Sequence, residues 1–252
     1  MAAVLKIEHI GVEFDGFHAL TDVSISVERN SIHCFIGPNG AGKTTLLDII
    51  CAKTKPTGGI VTFYPLGKEA ITLTGMKEHR IVNAGVGRKF QVPSVFVNLS
   101  VYDNMVLSLK GHKGVLESIF YRSTSAERDA IDAALTRVGL ETRKDDKAGT
   151  LAHGQKQWLE IAMQLLQGPE LIMLDEPAAG MGEAETFKTG EILAEVKSAC
   201  SVIVVEHDMA FVKQIADRAT VLHEGKVLAE GSVDEVLSNE TVQAVYLGRG
   251  GE

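Results

Sequence analysis

The stretch Gly37-Pro38-Asn39-Gly40-Ala41-Gly42-Lys43-Thr44-Thr45 decides the fold of this 252-residue chain. It fits the pattern Gly-x-x-x-x-Gly-Lys-Ser/Thr at every fixed position, between an apolar run at 32–36 and a helical pattern at 46–50. Glycines let successive N–H groups turn toward a phosphate chain, and the helix presents its positive end to the same oxygens. The sequence therefore predicts a nucleotide site in which Lys43 reaches the β and γ phosphates and the Thr44 hydroxyl binds Mg²⁺. An ordinary glycine-rich turn is the alternative that further motifs have to exclude.

Length, charge and cysteine content limit the classes of protein to consider. A chain of 252 residues can form a large α/β core, either alone or carrying a smaller subdomain. The net charge of −8, without a basic stripe, argues against a protein that coats nucleic acid, so we expect no nucleic-acid partner. The three cysteines lack CxxC spacing and are expected to be buried and reduced. No signal-peptide pattern or membrane-length apolar run is present, so we expect a cytosolic protein, and any membrane association must come through a partner.

The N-terminal region predicts a sheet that packs over the nucleotide core. Residues 4–14 and 19–27 alternate apolar and polar side chains, which is typical of half-buried strands in an antiparallel sheet. Phe14 stands at the end of the first strand, just before Asp15-Gly16. Its ring could stack on a base, although a lone aromatic residue is more often part of a core.

The middle of the chain changes from strand-like to helical character. A strand-like run ends at Gln91, whose amide could reach a metal ion or water at the γ-phosphate, or could be a routine loop residue. Helical periodicity follows at 101–109 and 126–138. We interpret residues 93 to about 160 as a helical insertion in the α/β core.

Two later apolar strands each end in charged residues. Residues 171–174 lead to Asp175 and Glu176, and residues 202–205 lead to Glu206, His207 and Asp208. In open α/β sheets the carboxyl ends of parallel strands form the ligand-binding edge. Between the helical region and the first of these strands, residues 151–157 lead into a helix predicted from Trp158 to Leu166.

The order of these motifs resembles the ATP-binding subunits of ABC transporters over nearly the whole chain. The resemblance implies an α/β P-loop NTPase (RecA-like) core with an N-terminal antiparallel β subdomain and an inserted α-helical subdomain. On this basis residues 1–252 form a single ABC ATPase domain, with the core at about 1–92 and 161–252 and the helical subdomain at about 93–160.

The same resemblance assigns roles in binding and hydrolysing ATP. It implies that Asp175 holds Mg²⁺ through water and that Glu176 polarises the attacking water. Gln91 would sense the metal and the γ-phosphate, and His207 would hydrogen-bond the γ-phosphate. Phe14 would stack on adenine. The predicted set is catalytic Lys43, Gln91, Glu176 and His207, metal-binding Thr44, Gln91 and Asp175, and phosphate-binding Gly37 to Thr45.

The resemblance also implies a dimer and membrane partners. In the family the signature segment, here Leu151, Ala152, His153, Gly154 and Gln155, completes the site of the opposite subunit. Two chains, the same or related, would then meet head to tail with two ATP molecules between them. Transmembrane permease subunits would hold the dimer at the cytoplasmic face of the inner membrane, and an extracytoplasmic binding protein would act only indirectly.

A closer resemblance concerns the cargo. Residues 14–20, 110–115 and 153–161 resemble an ATPase of urea transporters, within the branched-chain amino acid and amide uptake group. Residues 178–181 and 245–248 also suit that group. This resemblance implies an importer of urea or short amides, with branched-chain amino acids as the alternative cargo. A soluble ABC-type ATPase acting on ribosomes or DNA is disfavoured, because such proteins usually carry two ATPase cassettes or a long coiled coil. This chain has a single set of motifs and no sustained heptad pattern. Export of lipid or polysaccharide is disfavoured only by these subfamily residues.

Two segments depart from the usual family pattern. Ala152 replaces the signature serine and His153 the first signature glycine, and only the histidine agrees with the urea-type pattern. Gly182 stands where many relatives carry an aspartate in the loop after the Asp-Glu pair. We expect the missing serine hydroxyl to weaken ATP-driven closure unless His153 or backbone amides compensate. Communication between the two sites would rest on Glu183 or on backbone contacts.

Overall fold

A computed structural model describes residues 2–89, 95–109 and 123–247. The strands within these ranges are β1 (Ala3–Phe14), β2 (Phe17–Glu28), β3 (Ile32–Ile36), β4 (Gly58–Phe63), β5 (Ile71–Thr72), β6 (Val86–Lys89), β7 (Leu171–Asp175), β8 (Ser201–Val205), β9 (Arg218–His223) and β10 (Lys226–Gly231). The helices are α1 (Lys43–Ile50), α2 (Glu78–Ala84), α3 (Val101–Ser108), α4 (Ser125–Arg137), α5 (His153–Leu165), α6 (Glu183–Lys197), α7 (Met209–Ile215), α8 (Val233–Ser238) and α9 (Glu240–Leu247).

The smaller sheet is antiparallel and has the strand order β2-β1-β4-β5. Its two long strands form a hairpin in which Phe14 pairs with Phe17 across the turn. Asp15 and Gly16 form that turn with φ values of 46° and 84°, as a two-residue hairpin requires. The predicted antiparallel N-terminal sheet is therefore confirmed.

The larger sheet has the order β10-β9-β3-β8-β7-β6, and all its pairs are parallel except β9 with β10. Every residue of β3, β7 and β8 is buried, because these strands are covered on both faces. Their carboxyl ends lie side by side at one edge, which brings the phosphate loop, Glu176 and Glu206 to neighbouring positions.

Alternate residues of the large sheet enter two separate cores. Phe35, Met173 and Ile203 pack with α1 and the smaller sheet. Cys34 and Val204 point to the other face, against the helices α5, α6 and α7. The protein is thus a three-layered α/β fold, and the predicted fold class is confirmed. Cys34, Cys51 and Cys200 are free and buried, as expected.

The region between the larger sheet's strands β6 and β7 is helical where it is described. It contains α3, α4, α5 and two short 3₁₀ turns, Glu141–Arg143 and Ala148–Thr150. The division into a core and a helical subdomain stays a prediction. Gln91 and the segment 110–115 lie outside the described residues. Within the described ranges, no helix has both the length and the apolar character needed to cross a bilayer.

The start of α5 was predicted wrongly. This helix begins at His153 rather than at Trp158, so the signature segment forms its first turn. Its N-cap is Ala152, which carries no side-chain acceptor, and Gly154 is a poor helix former. The usual start signals are therefore missing. The helix instead begins with half of a capping box, in which Ala152 N–H donates to Gln155 Oε1 at 3.1 Å.

Candidate nucleotide-binding site

The phosphate loop has a backbone conformation that its glycines make possible. Gly37 has a φ of 145°, and a Cβ there would lie 2.1 Å from the carbonyl oxygen of Leu222. Gly42 has a φ of 98°, and a Cβ there would lie 2.5 Å from Leu20 Cδ2. Gly42 is also the N-cap of α1, so the unpaired N–H groups of that helix begin at the loop. The loop thus combines close packing with backbone donors suited to an anion.

Lys43 lies inside this loop, with 7% of its surface exposed. Its ammonium donates to the carbonyl oxygens of Gly37 at 2.7 Å and Pro38 at 2.9 Å. Burial lowers the pKa of Lys43, while the carboxylates of Glu176 and Asp175 oppose that shift. Because an ammonium has three donors, one more N–H is available for a phosphate oxygen.

Asp175 ends β7 as a buried carboxylate beside Thr44 and Arg88. Its side chain is 4% exposed, and Arg88 Nη2 lies 3.8 Å from Asp175 Oδ2. Burial raises the pKa of Asp175, whereas Arg88 and a hydrogen bond from Thr44 oppose the shift. Among the described residues, Asp175 Oδ1 has no hydrogen-bond partner.

This arrangement fits a hard divalent cation. Mg²⁺ is bound by one or two oxygen ligands of the protein, together with substrate phosphates and water. The Thr44 hydroxyl and the unpaired Asp175 oxygen supply that kind of donor. No group of three or more His, Cys, Asp or Glu side chains forms a metal cage within residues 2–89, 95–109 and 123–247. A Mg²⁺ ion here would thus depend on phosphate oxygens for much of its coordination.

Glu176 and His207 face each other across neighbouring strand ends. Glu176 Oε1 lies 3.5 Å from His207 Nδ1. Glu176 has a φ of 47°, an uncommon conformation for a residue with a Cβ, and its N–H donates to Val205 O at 2.9 Å. The Glu176 side chain is 30% exposed and that of His207 60% exposed. Both side chains are therefore accessible from solvent at this edge of the sheet.

A cleft of about 440 Å³ connects the hairpin tip of β1 and β2 with the phosphate loop. It is lined by Phe14, Phe17, Ala19, residues 39–45, Glu176 and Val205. Phe14 is 48% exposed and Phe17 is 67% exposed. The exposed rings at one end and the loop N–H groups at the other match the two ends of a nucleotide.

The signature segment lies elsewhere in the same chain. None of residues 151–155 lines the cleft. The His153 ring instead lies beside the loop after Glu176, where a Cβ on Gly180 would be 3.8 Å from it. His153 Nε2 is also 3.4 Å from Gln157 Nε2.

The structure therefore brings five predicted residues together: Lys43, Thr44, Asp175, Glu176 and His207. Phe14 lies at the far end of the same cleft. The phosphate loop and the carboxylates meet as predicted, whereas the roles assigned to them stay predictions.

Three neighbours of the site were assigned no role from the sequence. Phe17 lines the base end of the cleft, Arg88 contacts Asp175, and Glu206 accepts hydrogen bonds from His207 and Ala178. Phe17 could have been found from the two-residue turn, because a hairpin places it opposite Phe14. The contacts of Arg88 and Glu206 depend on strand order, for which the local pattern gives no signal.

A larger cleft, of about 790 Å³, lies away from these residues. It is lined by the C-terminal end of α4 and the exposed side of α6, including Arg137 and Glu195. Lys188 and Glu191, which also line it, pair with each other at 2.9 Å. This cleft contains none of the predicted site residues, so its size does not make it the reactive site.

Comparison with known proteins identifies the family. The profile of the ABC transporter family matches residues 20–179. The high-affinity branched-chain amino acid transport ATP-binding protein LivG of Salmonella typhimurium is 34% identical over 97% of this chain and 98% of its own length.

The chain belongs to the ABC transporter ATP-binding subunits. BraF of Pseudomonas aeruginosa, a protein named for the same transport, is 33% identical over 97% of this chain. The profile of the branched-chain amino acid ATP-binding cassette transporters matches residues 226–252. The chain is thus an ATPase subunit of this group, and neither LivG nor BraF is named for urea transport.

Solved structures agree with this ABC transporter assignment. The ADP conformation of an ATP-binding cassette has a TM-score of 0.84 and 29% identity, over 99% of this chain and 100% of the other. A nucleotide-free cassette has a TM-score of 0.82 and 29% identity, over 97% of this chain and 99% of the other. The likeness extends over the whole fold, including both sheets.

Proposed function

We propose that this chain is the ATP-hydrolysing subunit of an importer for branched-chain amino acids or related small amides. One observation carries the proposal: Lys43, Thr44, Asp175, Glu176 and His207 converge at one sheet edge of a chain whose full-length relatives are named for branched-chain amino acid transport. We place it at the cytoplasmic face of the inner membrane, bound to permease subunits. The transported molecule would contact the permease and a binding protein, and not this chain.

Each site residue has a role that its environment supports. Phe14 and Phe17 hold the base, the loop N–H groups bind the phosphates, and Lys43 donates to β and γ oxygens. Thr44 and Asp175 would hold Mg²⁺, which neutralises charge on the phosphates. Glu176 orients the attacking water and accepts its proton, while His207 donates to the γ-phosphate. Gln91 would sense the metal, as the family resemblance implies.

The signature segment supports a head-to-tail dimer in this proposal. Residues 151–155 do not line the cleft of their own chain, so they are available to a second subunit. The first turn of α5 would present its N–H groups to the γ-phosphate bound by that subunit. Loss of the γ-phosphate would then release the contact and let the dimer open.

A contact surface for the permease is proposed near residues 91–99. Phe96, Val97 and Leu99 are 58%, 49% and 36% exposed, although all three are apolar. Exposed apolar side chains clustered in this way favour an anchored helix-in-groove contact. A short helix of the permease is the partner that we assign to this exposed apolar surface.

The test of the proposed function compares the parent chain with Glu176→Gln. The parent should hydrolyse ATP only with Mg²⁺, and EDTA should abolish the activity. Glu176→Gln should lower the hydrolysis rate by ~100-fold or more, because the water is no longer oriented by a base. Sedimentation should show an ATP-dependent dimer of the variant. A variant that retains full activity would contradict the role of Glu176.

Urea is a second candidate cargo. It is favoured by the segment from His153 to Ile161, including Trp158, which resembles the urea-type pattern. Reconstitution with candidate permeases, followed by uptake of radiolabelled leucine and of urea, separates the two cargoes. Uptake of urea alone would exclude branched-chain amino acids as the cargo.

A further inference from the structure

Glu206 is a buried acidic residue that the roles proposed above leave without a function. It directly follows β8 and is 2% exposed. Burial raises the pKa of Glu206, and the hydrogen bonds that it accepts oppose that shift. A buried carboxylate is costly unless hydrogen bonds compensate for its lost hydration. The groups that contact Glu206 therefore indicate its role.

The hydrogen-bond donors to Glu206 are backbone N–H groups of two different loops, and the His207 ring also lies near it, with Nδ1 3.9 Å from Glu206 Oε2. One carboxylate oxygen, Oε2, accepts from His207 N–H at 3.0 Å and more weakly from Asp208 N–H at 3.5 Å. The other oxygen, Oε1, accepts from Ala178 N–H at 3.4 Å. Ala178 lies two residues after Glu176, in the loop that continues to Gly182. One side chain thus connects the loop of His207 with the loop of Glu176.

The backbone around Glu206 is attached to the same sheet edge. Glu206 N–H donates to Phe35 O at 3.3 Å, and Phe35 lies two residues before Gly37 of the phosphate loop. Glu176 N–H donates to Val205 O, the residue just before Glu206. Backbone bonds of Val205 and Glu206 thus hold this strand end to the segments that carry Lys43 and Glu176, and the carboxylate adds a link between the loops of Glu176 and His207.

We propose that Glu206 is a positioning residue, which keeps Glu176 and His207 at a fixed separation by holding Ala178 N–H and His207 N–H. The proposal rests on the function proposed above for Glu176 and His207. The same contacts would also let Glu206 transmit movement between the two loops. A displacement of the His207 loop would be passed through the carboxylate to residues 178–182, where Gly182 lacks the aspartate common in relatives.

The test measures Glu206→Gln beside Glu230→Gln. A glutamine places an NH₂ group against the N–H donors of one loop, so the link that holds the two loops to each other is broken whichever loop keeps the oxygen. We expect kcat for ATP hydrolysis to fall by about tenfold and KM for ATP to change by less than about twofold. Hydrogen exchange should become faster in both segments 176–182 and 206–209. Glu206→Asp, which keeps the charge but is shorter, should change both readouts in the same direction.

Glu230→Gln is the matched control. Glu230 lies on β10, its side chain is 24% exposed and it pairs with Arg218 at 3.6 Å, away from the cleft. This variant should leave kcat and the exchange of both segments unchanged. For the Glu206 variants, an unchanged kcat, or faster exchange in 206–209 alone, would overturn the proposal.

Failure of the proposed function gives a different result. Glu176→Gln and His207→Ala, assayed in parallel, would then retain activity, whatever the exchange of the Glu206 variants shows. If both lose activity while Glu206→Gln and Glu206→Asp keep it, the site roles stand and the positioning role of Glu206 is wrong.

Discussion

His33 is a buried histidine whose environment favours the neutral ring. It lies in β3 with none of its surface exposed, and its Nε2 is 2.8 Å from Thr220 Oγ1. Burial lowers the pKa of His33 to about 3, and the positive charge of Arg218 acts in the same direction. Among the described residues, His33 Nδ1 has no hydrogen-bond partner. Protonation would therefore place an uncompensated charge in a fully buried site.

We predict that His33 makes the fold sensitive to acid. The pKa of this ring is lower in the folded than in the unfolded chain, so below about pH 6.5 the unfolded chain binds the extra proton. The stabilising contribution of the neutral His33 ring is therefore fully present above about pH 6.5. Below that pH the free energy of unfolding falls by up to ~1.4 kcal/mol per pH unit, as pH drops toward about 3. His33→Gln, measured by urea unfolding between about pH 7.5 and 5, should reduce this slope.

A control histidine separates this effect from general acid sensitivity. His9 is exposed, with its side chain 80% accessible beside Asp22, so His9→Gln should leave the slope nearly unchanged. Equal slopes for the parent and His33→Gln would show that His33 is not responsible.

At the scale of elements, α5 lacks a capping side chain at its N-terminus, although its first turn is the signature segment. We predict that Ala152→Ser stabilises the helix by ~1 kcal/mol, because a serine N-cap accepts a backbone N–H bond. If the hydroxyl also reaches the γ-phosphate of a partner, a charged hydrogen bond of roughly 1.5–3 kcal/mol adds about tenfold or more to ATP-dependent dimerisation. Thermal unfolding without ATP and sedimentation in the Glu176→Gln background measure the two effects separately.

Ala130→Ser is the matched control for Ala152→Ser. Ala130 is an exposed residue inside α4, where a hydroxyl satisfies no free N–H group. This variant should give no gain in stability or dimerisation. If Ala152→Ser behaves like Ala130→Ser, then His153 or backbone amides already compensate for the missing serine.

Elements whose pattern is local could be predicted from the sequence. The mostly apolar strands β3, β7 and β8 are an example, because burial on both faces excludes polar residues along most of their length. The start of α5 could not be predicted, since Ala152 gives no capping signal. β5, with two residues, is too short to show any period. The contacts of Arg88 and Glu206 depend on which strands are neighbours, and several arrangements fit the same local pattern.

At the scale of the whole molecule, one partly buried ion pair joins the smaller sheet to the larger one. Arg29 Nη1 lies 2.7 Å from Glu170 Oε2, and the same oxygen accepts from Leu66 N–H at 2.7 Å. Arg29 also donates to Tyr64 O. Glu170 immediately precedes β7, so this cluster connects the end of β2 and the segment after β4 with the central strands.

We predict that Glu170→Gln lowers the free energy of unfolding by roughly 1–3 kcal/mol, because Arg29 loses its charged partner in a partly buried site. For a chain of this length the melting temperature should fall by about 2–4 °C per kcal/mol. Glu191→Gln removes a pair with Lys188 whose side chains are about half exposed, and it should shift melting by much less. Equal shifts would mean that the pair does not tie the sheets together.

The left-handed backbone of Glu176 has a consequence for how this protein can change. At a φ of 47° glycine is the residue with the least strain, yet the proposed chemistry requires a carboxylate there. Selection for stability and selection for turnover therefore oppose each other at this one position. A lineage released from the need to hydrolyse ATP would be free to replace Glu176 while keeping the fold, so loss of activity here need not be accompanied by loss of the protein.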